Sequence, residues 1–462
     1  MSDRTDAVLT RILSTLVFPI HERFKGHHTV AMRRELESTQ WWSPAKIEEL
    51  RIERLRAFLT RISSSVPYYR RLFRSHGFDP ASLDSTPALQ ALPFLTKSLI
   101  RENESELKAG AAVGLKRFNT GGSTGEPLIF WLDRERISHD VAAKWRATRW
   151  WNVDIGDREI VLWGSPIELG GQDRVKALRD RMFRSRLLPA FNMSEPDMQR
   201  YLDFILQYRP RMLFGYASAL ALLAQHAQHT GRKLNDVGIR VAFTTGETLY
   251  PEQRAAIEDT FDCPVANGYG SRDAGFIAHQ CPHGSLHISA EHIIVEVINE
   301  AGCSVPPGEA GEVVVTHLAT AGFPFVRYRT GDMATMRTDP CACGRGLPAF
   351  ETVHGRNTDF IRTANGNRMH ALALIYEVRD RPGVRAFKIV QEADLSLELM
   401  IVAGDELSEG VEEQIRSGII ARMGAGTRVT LRRVAEITPE RSGKYRYVVS
   451  RATGIAAKNP PA

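Results

Sequence analysis

The sequence predicts an α/β fold in which a largely parallel sheet precedes a small α+β module. Apolar runs of strand length recur at 158–163, 211–216, 239–246 and 263–270. Several of these runs end in glycine or a hydroxyl residue, and helical patterns at 195–206 and 251–261 lie between them. Alternation of strands with helices is typical of a parallel sheet, whose ligands bind at the carboxyl ends of its strands.

The chain divides into three predicted regions. Residues 1–105 form a helical N-terminal arm that belongs to the large domain, with a helical stripe that ends before Pro67. Residues 106–355 form the core, where the apolar runs at 293–298 and 312–317 indicate hairpin-like strands. Residues 356–462 form a module of about 105 residues, the usual size of a domain.

Composition indicates a soluble protein of more than one domain. The chain has 462 residues, of which 43% are hydrophobic and 25% charged. No apolar run approaches the roughly 20 residues that cross a bilayer, so we expect no membrane insertion. The first residues include Asp3 and Asp6 and no small-residue cleavage site, so we expect no signal peptide and a cytoplasmic location. A net charge of +6 suits an anionic substrate, and without a basic-aromatic run we expect no nucleic-acid partner.

The glycine-rich segment FNTGGSTGEPLIF spans residues 118–130. Glycine lets backbone N–H groups converge, and a nest of this kind with hydroxyl donors around it suits a polyphosphate. The candidate ligands are Thr120, Gly121, Gly122, Ser123, Thr124 and Gly125. Glu126 and Pro127 follow where a nucleotide P-loop has lysine, so the neutralising lysine must come from elsewhere. The alternative is a plain glycine-rich surface turn.

Three further motifs follow predicted strands. Gly246 and Glu247 end the run FTTGETL, and Tyr269 in NGYGSRDAG offers a flat face for a purine ring. Asp273 is a hard oxygen donor that suits Mg²⁺ beside phosphates. Asp332 in RYRTGD is a carboxylate that suits the two hydroxyls of a ribose. Glycine and aspartate are also common in turns for purely conformational reasons, which is the alternative for each motif.

The five cysteines are too few, and odd in number, for a disulfide framework. Their placement with histidines instead suggests a closed, structural, tetrahedral zinc site. The predicted ligands are Cys281, His287, Cys341 and Cys343. His279 and His283 are alternative histidine ligands, and the opposing interpretation is reduced thiols beside incidental histidines.

The order of the motifs resembles that of the adenylate-forming enzymes. TGGSTGEP, TGE, GYGSRD, YRTGD, GRNTDFI and PERSGKYR follow one another, and the resemblance runs from about residue 40 to 450. VPYYRRLF, LPFLTKSLIREN and CGRG are more similar to the phenylacetate-CoA ligase-like branch, which includes a subgroup found with capsular polysaccharide biosynthesis.

The resemblance implies a large N-terminal domain and a small C-terminal lid that rotates during the cycle. It implies ATP phosphates at Thr120–Gly125, Mg²⁺ at Asp273 and a catalytic lysine at Lys444. The remaining nucleotide-binding residues that it implies are Gly246, Glu247, Tyr269, Gly270, Ser271, Asp332 and Arg356. The resemblance also places Tyr216 and Ala217 near the acyl pocket and Thr358 at the hinge. Arg272 would either bind the substrate carboxylate or pair with an acidic side chain.

The function implied is an ATP-dependent ligase that activates an aryl or acyl acid as its adenylate, releases pyrophosphate and transfers the acyl group to coenzyme A. A ligase that makes an amide or ester without coenzyme A is an alternative, and a nucleotide-binding scaffold without ligase activity is another. The branch suggests a homodimer.

Two residues depart from the pattern of the family. Asp273 replaces the usual glutamate of the family, and Thr358 replaces its charged hinge residue.

Overall fold

The computed structural model describes most of the chain. The described residues are 3–110, 112, 114–119, 128–163, 173–190, 193–299, 301–355, 360–364, 368–370, 372–379, 381–404, 406–437 and 448–452. Within these ranges no helix combines the length and the apolar character needed to cross a membrane.

The chain forms two compact units. The larger comprises Met1–Thr120, Leu128–Ala190 and Met198–Arg356, and Asn357–Ala462 belongs to the smaller.

Helices dominate the first part of the larger unit. They are α1 (Asp3–Ile12), α2 (Phe18–Phe24), α3 (Thr29–Thr39), α4 (Pro44–Ser65), α5 (Pro67–Ser75), α6 (Lys97–Glu102) and α7 (Glu104–Leu107). A π-helical turn, Leu13–Val17, joins α1 to α2, and 3₁₀ turns occupy Pro80–Ser82 and Thr86–Ala91. The Ser43 side chain accepts a hydrogen bond from the Lys46 amide, which caps the start of α4.

The helical stripe predicted in the arm is the buried face of α4. Leu55, Phe58, Leu59 and Ile62 are all buried there. The charged run LRIERLR, residues 50–56, also lies inside α4, which begins at Pro44. A helix tolerates such a run because only one of its faces needs to be apolar.

A mixed sheet of eleven strands forms the centre of the larger unit. Its strands are β3 (Glu159–Leu162), β4 (Ser185–Leu188), β5 (Met212–Gly215), β6 (Val241–Thr245), β7 (Val265–Ser271), β8 (Gly275–Gln280), β9 (Leu286–Ile288), β10 (Ile293–Ile298), β11 (Ala310–His317), β12 (Tyr328–Met336) and β13 (Ala349–Gly355). Their order is β10-β11-β12-β13-β9-β8-β7-β6-β5-β3-β4. A separate antiparallel pair comprises β1 (Lys116–Asn119) and β2 (Ile129–Leu132).

Four of the ten strand pairings in this sheet are parallel. The strands β4, β3, β5, β6 and β7 pair in parallel, and the pairs from β7 to β10 are antiparallel. The intervening helices are α8 (Arg134–Arg149), α9 (Asp173–Met182), α10 (Glu195–Tyr208), α11 (Ala217–His229) and α12 (Pro251–Phe261). The four predicted apolar runs are the strands β3, β5, β6 and β7, so the α/β prediction is confirmed.

The smaller unit has its own sheet and core. Its elements are β14 (Phe360–Arg362), β15 (Arg368–His370), α13 (Leu372–Arg379), β16 (Val384–Gln391), β17 (Leu397–Ala403), α14 (Glu409–Met423), β18 (Val429–Arg433) and β19 (Val448–Ser450). The sheet order is β18-β17-β16-β19. Leu399 and Ile401 of β17 pack with Ile415 and Ile419 of α14. The sequence predicts both elements, because apolar residues alternate from Leu395 to Ile401 and recur every four residues from Val411 to Met423.

Candidate functional site

The carboxyl ends of neighbouring parallel strands gather several of the predicted residues. Trp163 follows β3, Tyr216 follows β5 and Gly246 follows β6, and these three strands are adjacent in the sheet. The Tyr216 ring stacks on Trp163 with their centroids 4.1 Å apart. This edge of a parallel sheet is where ligands of α/β folds bind, so the stacked rings flank a suitable location.

Gly246 is glycine for a structural reason. Its φ is +81°, and a β-carbon there would lie 3.2 Å from the Tyr216 ring and 3.4 Å from Trp163. The next residue, Glu247, accepts a hydrogen bond from the Ser218 amide at 3.1 Å. Its carboxylate therefore lies at the N-terminus of α11, where a negative charge is stabilised by the helix dipole.

The turn between β7 and β8 contains Asp273, which is buried. The Tyr328 hydroxyl donates to one carboxylate oxygen at 2.5 Å, and the Ser271 hydroxyl donates to the other. Gly270 permits the close return of the chain, because a β-carbon there would lie 2.2 Å from the Gly275 carbonyl oxygen. Arg272, the neighbour of Asp273, is exposed.

Tyr269 and Asp332 lie in direct contact, although 63 residues separate them. The Tyr269 hydroxyl donates to Asp332 Oδ2 at 3.0 Å. The edge of the Tyr269 ring also meets Phe350, with the centroids 5.6 Å apart. The structure thus brings together the two residues that the sequence assigns to the base and the ribose of a nucleotide.

Two residues beside the site were not among the predicted ones. Trp163 stacks on Tyr216, and Tyr328 holds Asp273. Tyr328 carried a detectable signal, because it lies in the same RYRTGD motif as Asp332. For Trp163 the signal was its position directly after a buried strand.

Other predicted residues cannot be placed. Thr120–Gly125, Arg356, Thr358 and Lys444 all lie outside the described residues. The predictions for the phosphate loop, the hinge and the catalytic lysine therefore stay predictions.

A group of buried polar side chains lies behind the β7–β8 turn. The potential ligand atoms of His139, Asp140 and His317 lie within 4.8 Å of one another, and we call these three residues the histidine group. Arg136 Nε donates to both Asp140 oxygens at 3.1 Å, and its guanidinium also reaches the Arg272 carbonyl at 3.5 Å. Burial and the nearby charge of Arg136 hold the pKa of His317 well below its usual value, so the ring is neutral.

The cysteine cluster, Cys281, His287, Cys341 and Cys343, forms a second compact group. The ligand atoms of all four residues lie within 4.8 Å of one another. Within the described structure, neither His279 nor His283 belongs to this group. Cys281 Sγ lies 3.7 Å from Cys341 Sγ, and Cys343 Sγ lies 3.2 Å from His287 Nε2. His287 Nδ1 lies 3.1 Å from the Leu347 carbonyl oxygen, a contact that requires the proton on Nδ1.

The protonation of His287 suits a ligand role. Burial lowers its pKa to about 4, so the imidazole is neutral at physiological pH. With the proton on Nδ1, the lone pair of Nε2 is directed at the cysteines.

Two family models match the chain. The model described as AMP-binding enzyme matches residues 120–321, and the CapK C-terminal domain matches residues 361–451. The chain belongs to the adenylate-forming enzymes. Within that superfamily it falls in the branch of CapK and the phenylacetate-CoA ligases.

Two curated relatives that match over nearly their whole length are consistent with this assignment. Protein CapK of Staphylococcus aureus is 21% identical over 93% of both chains. A phenylacetate-coenzyme A ligase of Thermus thermophilus is 23% identical over 87% of this chain and 96% of its own.

Solved structures share the fold of this chain. 2-Hydroxyisobutyryl-CoA ligase, in complex with 2-HIB-AMP and CoA in its thioesterification state, superposes with a TM-score of 0.64. The identity is 20%, over 88% of this chain and 90% of that one.

Proposed function

We propose that the protein is an ATP-dependent carboxylic acid ligase that forms an acyl-adenylate, releases pyrophosphate, and then passes the acyl group to the thiol of coenzyme A with release of AMP. The observation that carries this proposal is the hydrogen bond between Tyr269 and Asp332. An aromatic face beside a carboxylate is the chemistry that a purine and its ribose hydroxyls need. Coenzyme A is favoured as the acceptor because two of the similar proteins are coenzyme A ligases.

The reaction makes clear demands on charge. The substrate carboxylate attacks the α-phosphorus of ATP in line, and the bond to pyrophosphate breaks. Negative charge then grows on the phosphoryl oxygens, so fixed positive groups stabilise the transition state. We assign this role to Lys444. We also propose that residues 356–462, which include Lys444, act as a mobile lid domain.

The turn that contains Asp273 is suited to Mg²⁺. Its donor set is all oxygen, from one carboxylate and the hydroxyls of Ser271 and Tyr328. Mg²⁺ takes oxygen ligands, and it commonly binds one or two carboxylates together with substrate phosphates. When bound, the ion would neutralise charge on the phosphates, while Tyr328 and Ser271 fix the orientation of the Asp273 carboxylate.

The cysteine cluster is suited to a structural zinc ion. Zn–S bonds of about 2.3 Å would put two sulfurs of one tetrahedral ion about 3.8 Å apart. The observed separation of Cys281 Sγ and Cys341 Sγ is 3.7 Å. Four protein ligands would close the coordination sphere, so the ion would stabilise the fold and take no part in the chemistry.

The test is a pyrophosphate-release assay with ATP, Mg²⁺ and a panel of aryl and short acyl acids, run with and without coenzyme A. We expect at least one acid to support release and coenzyme A to be consumed with it. Lys444→Ala should lower kcat by about 10²–10³-fold. Asp332→Asn should weaken the use of ATP by about 10–100-fold, because its bonds to the ribose would lose their charge. Arg416→Ala, at an exposed ion pair of α14, is the matched control.

The outcomes separate the candidate functions. Release with an acid but without any use of coenzyme A would indicate an amide- or ester-forming ligase. If no acid supports release and Lys444→Ala changes nothing, adenylation is wrong and a nucleotide-binding scaffold remains.

A further inference from the structure

The N-terminal helices present a row of exposed apolar side chains at intervals of four residues. We call Val8, Ile12, Leu16, Ile20 and Phe24 the apolar row, and their side chains are 45% to 88% exposed. Ten large hydrophobic side chains are exposed among the described residues, and half of them belong to this row. Such a concentration marks an interaction surface, since single exposed apolar side chains are usually scattered.

The π-helical turn contributes to the alignment of the row. An α-helix turns about 100° per residue, so each four-residue step drifts by roughly 40° around its axis. Leu13–Val17, in the middle of the row, forms the wider turn of a π-helix, which takes up part of that drift. All five side chains therefore stay exposed along the two helices.

The opposite face of the same helices is fixed to the body of the larger unit. Leu13 and Phe18 are buried, and the Phe18 ring meets Trp145 edge-on at 5.0 Å and Phe183 at 5.4 Å. Asp6 forms ion pairs of 2.7 Å with Arg158 and with Arg184. The apolar row is thus the outer face of a docked helix pair, and its exposure is not a consequence of a detached arm.

The charges around the apolar row are almost all positive. Arg4, Arg11, Arg23 and Lys25 are exposed. The acidic residues of the same stretch, Asp6 and Glu22, are buried, Glu22 beside His27 and Thr29. From Arg4 to Lys25, within the described structure, no acidic side chain is exposed.

A second segment extends the surface. Leu178 and Met182 of α9 and Leu187 of β4 are exposed, and we call these three residues and the apolar row together the arm patch. Phe183, directly after α9, packs on His21 of α2 at 5.2 Å, which places this segment beside the arm. Eight of the ten exposed large hydrophobic side chains in the described part of the chain thus belong to the arm patch.

We propose that the arm patch docks the enzyme on an anionic phospholipid bilayer, with the apolar row in the headgroup region. A helix with Leu, Ile and Phe on one side and Arg and Lys flanking them has the composition of an interfacial helix. The proposed association is peripheral, with the helices lying in the plane of the membrane surface. A second copy of the chain fits less well, since pairing two such faces would bring like charges together.

The test is co-sedimentation of the full chain with vesicles of phosphatidylcholine alone or mixed with phosphatidylglycerol. We expect binding only to the anionic vesicles, and weaker binding as salt is raised. The double variant Leu16→Ser/Phe24→Ser should weaken binding at least about tenfold, since two exposed apolar side chains lose their contact with lipid. Trp41→Ser is the matched control, because Trp41 is an exposed large side chain outside the arm patch.

Charge is tested separately. Arg11→Gln/Arg23→Gln should also weaken binding, whereas Arg385→Gln/Arg428→Gln, two exposed arginines of the smaller unit, should not. Pyrophosphate release should be unchanged in all these variants, so failure of this proposal is distinct from failure of the ligase proposal.

Two outcomes would overturn the proposal. One is equal binding of the wild type and Leu16→Ser/Phe24→Ser to anionic vesicles. The other is absence of vesicle binding together with a dimer, detected by sedimentation velocity, that this double variant converts to monomer. The second result would assign the arm patch to contact between copies of the chain.

Discussion

Among its described residues, the larger unit holds two groups of closely spaced potential metal ligands that differ in their surroundings. In both the cysteine cluster and the histidine group, the ligand atoms lie within 4.8 Å of one another. The cysteine cluster offers three sulfurs and a neutral imidazole. In the histidine group, the only carboxylate already binds Arg136 through both of its oxygens. Proximity of ligands therefore does not by itself define a metal site, because the charge that would balance the ion must also be available.

The largest effect is expected from the cysteine cluster. Cys341→Ser should abolish zinc binding and strongly destabilise the larger unit, since the binding energy of a structural zinc is part of the folding energy. Elemental analysis of the purified protein and its thermal unfolding measure the two effects. Cys303→Ser is the control, because Cys303 is an exposed free cysteine outside the cluster. Wild-type protein without zinc would end this interpretation.

The next effect concerns Arg136, the partner of Asp140 in the histidine group. Arg136→Met should cost about 3–5 kcal/mol of unfolding free energy, because it leaves Asp140 without its buried partner. The double variant Arg136→Met/Asp140→Leu should recover much of that loss, as measured by denaturant unfolding. If the wild-type protein instead contains a metal ion that the His139→Gln variant lacks, the contrast between the two groups is wrong.

The histidines also predict a dependence of stability on pH. Burial holds the pKa of His292 and of His317 well below the ordinary value of about 6.5. Below pH 6.5 the unfolded chain therefore binds protons that the folded protein does not, and stability falls as the pH falls. Each ring contributes up to about 1.4 kcal/mol per pH unit. Unfolding at pH 7.5 and 5.5 measures the slope, which His317→Asn should reduce; an unchanged slope would mean that His317 is not the titrating group.

The smallest expected effect is a difference in stability between two variants of His317, which tests which ring nitrogen accepts a hydrogen bond. Its Nδ1 accepts a hydrogen bond from the Ala319 amide at 3.2 Å. Asparagine can keep an acceptor near that position and glutamine cannot, so His317→Gln should be less stable than His317→Asn by about 1 kcal/mol. Equal stabilities, measured by urea unfolding, would contradict the assigned tautomer. Neither substitution should change the metal content.

Most of the fold was accessible from the sequence because its strands are strongly apolar. The runs at 239–246 and 263–270 became β6 and β7, and the helical stripe of the smaller unit became α14. The edge strand β4 escaped prediction. Ser185–Leu188 is only partly buried and includes Arg186, so the run lacks the apolar character of its neighbours.

The candidate site was predictable only in part. Tyr269, Asp273 and Asp332 belong to local motifs that single them out in the sequence, and the structure brings Tyr269 and Asp332 into contact. The histidine group comes from α8 and the end of β11, which meet only through the packing of the larger unit. No local pattern links such residues, because their proximity depends on tertiary structure that one sequence does not specify.

The contact between Tyr269 and Asp332 has a thermodynamic consequence. Its 3.0 Å hydrogen bond and the edge contact with Phe350 restrain the tyrosine ring before any ligand arrives. A planar ligand that stacks on this ring meets a surface whose rotamer entropy has already been lost in folding. Preorganisation of this kind reduces the ordering cost of association, so affinity at this position depends more on stacking and less on rearrangement.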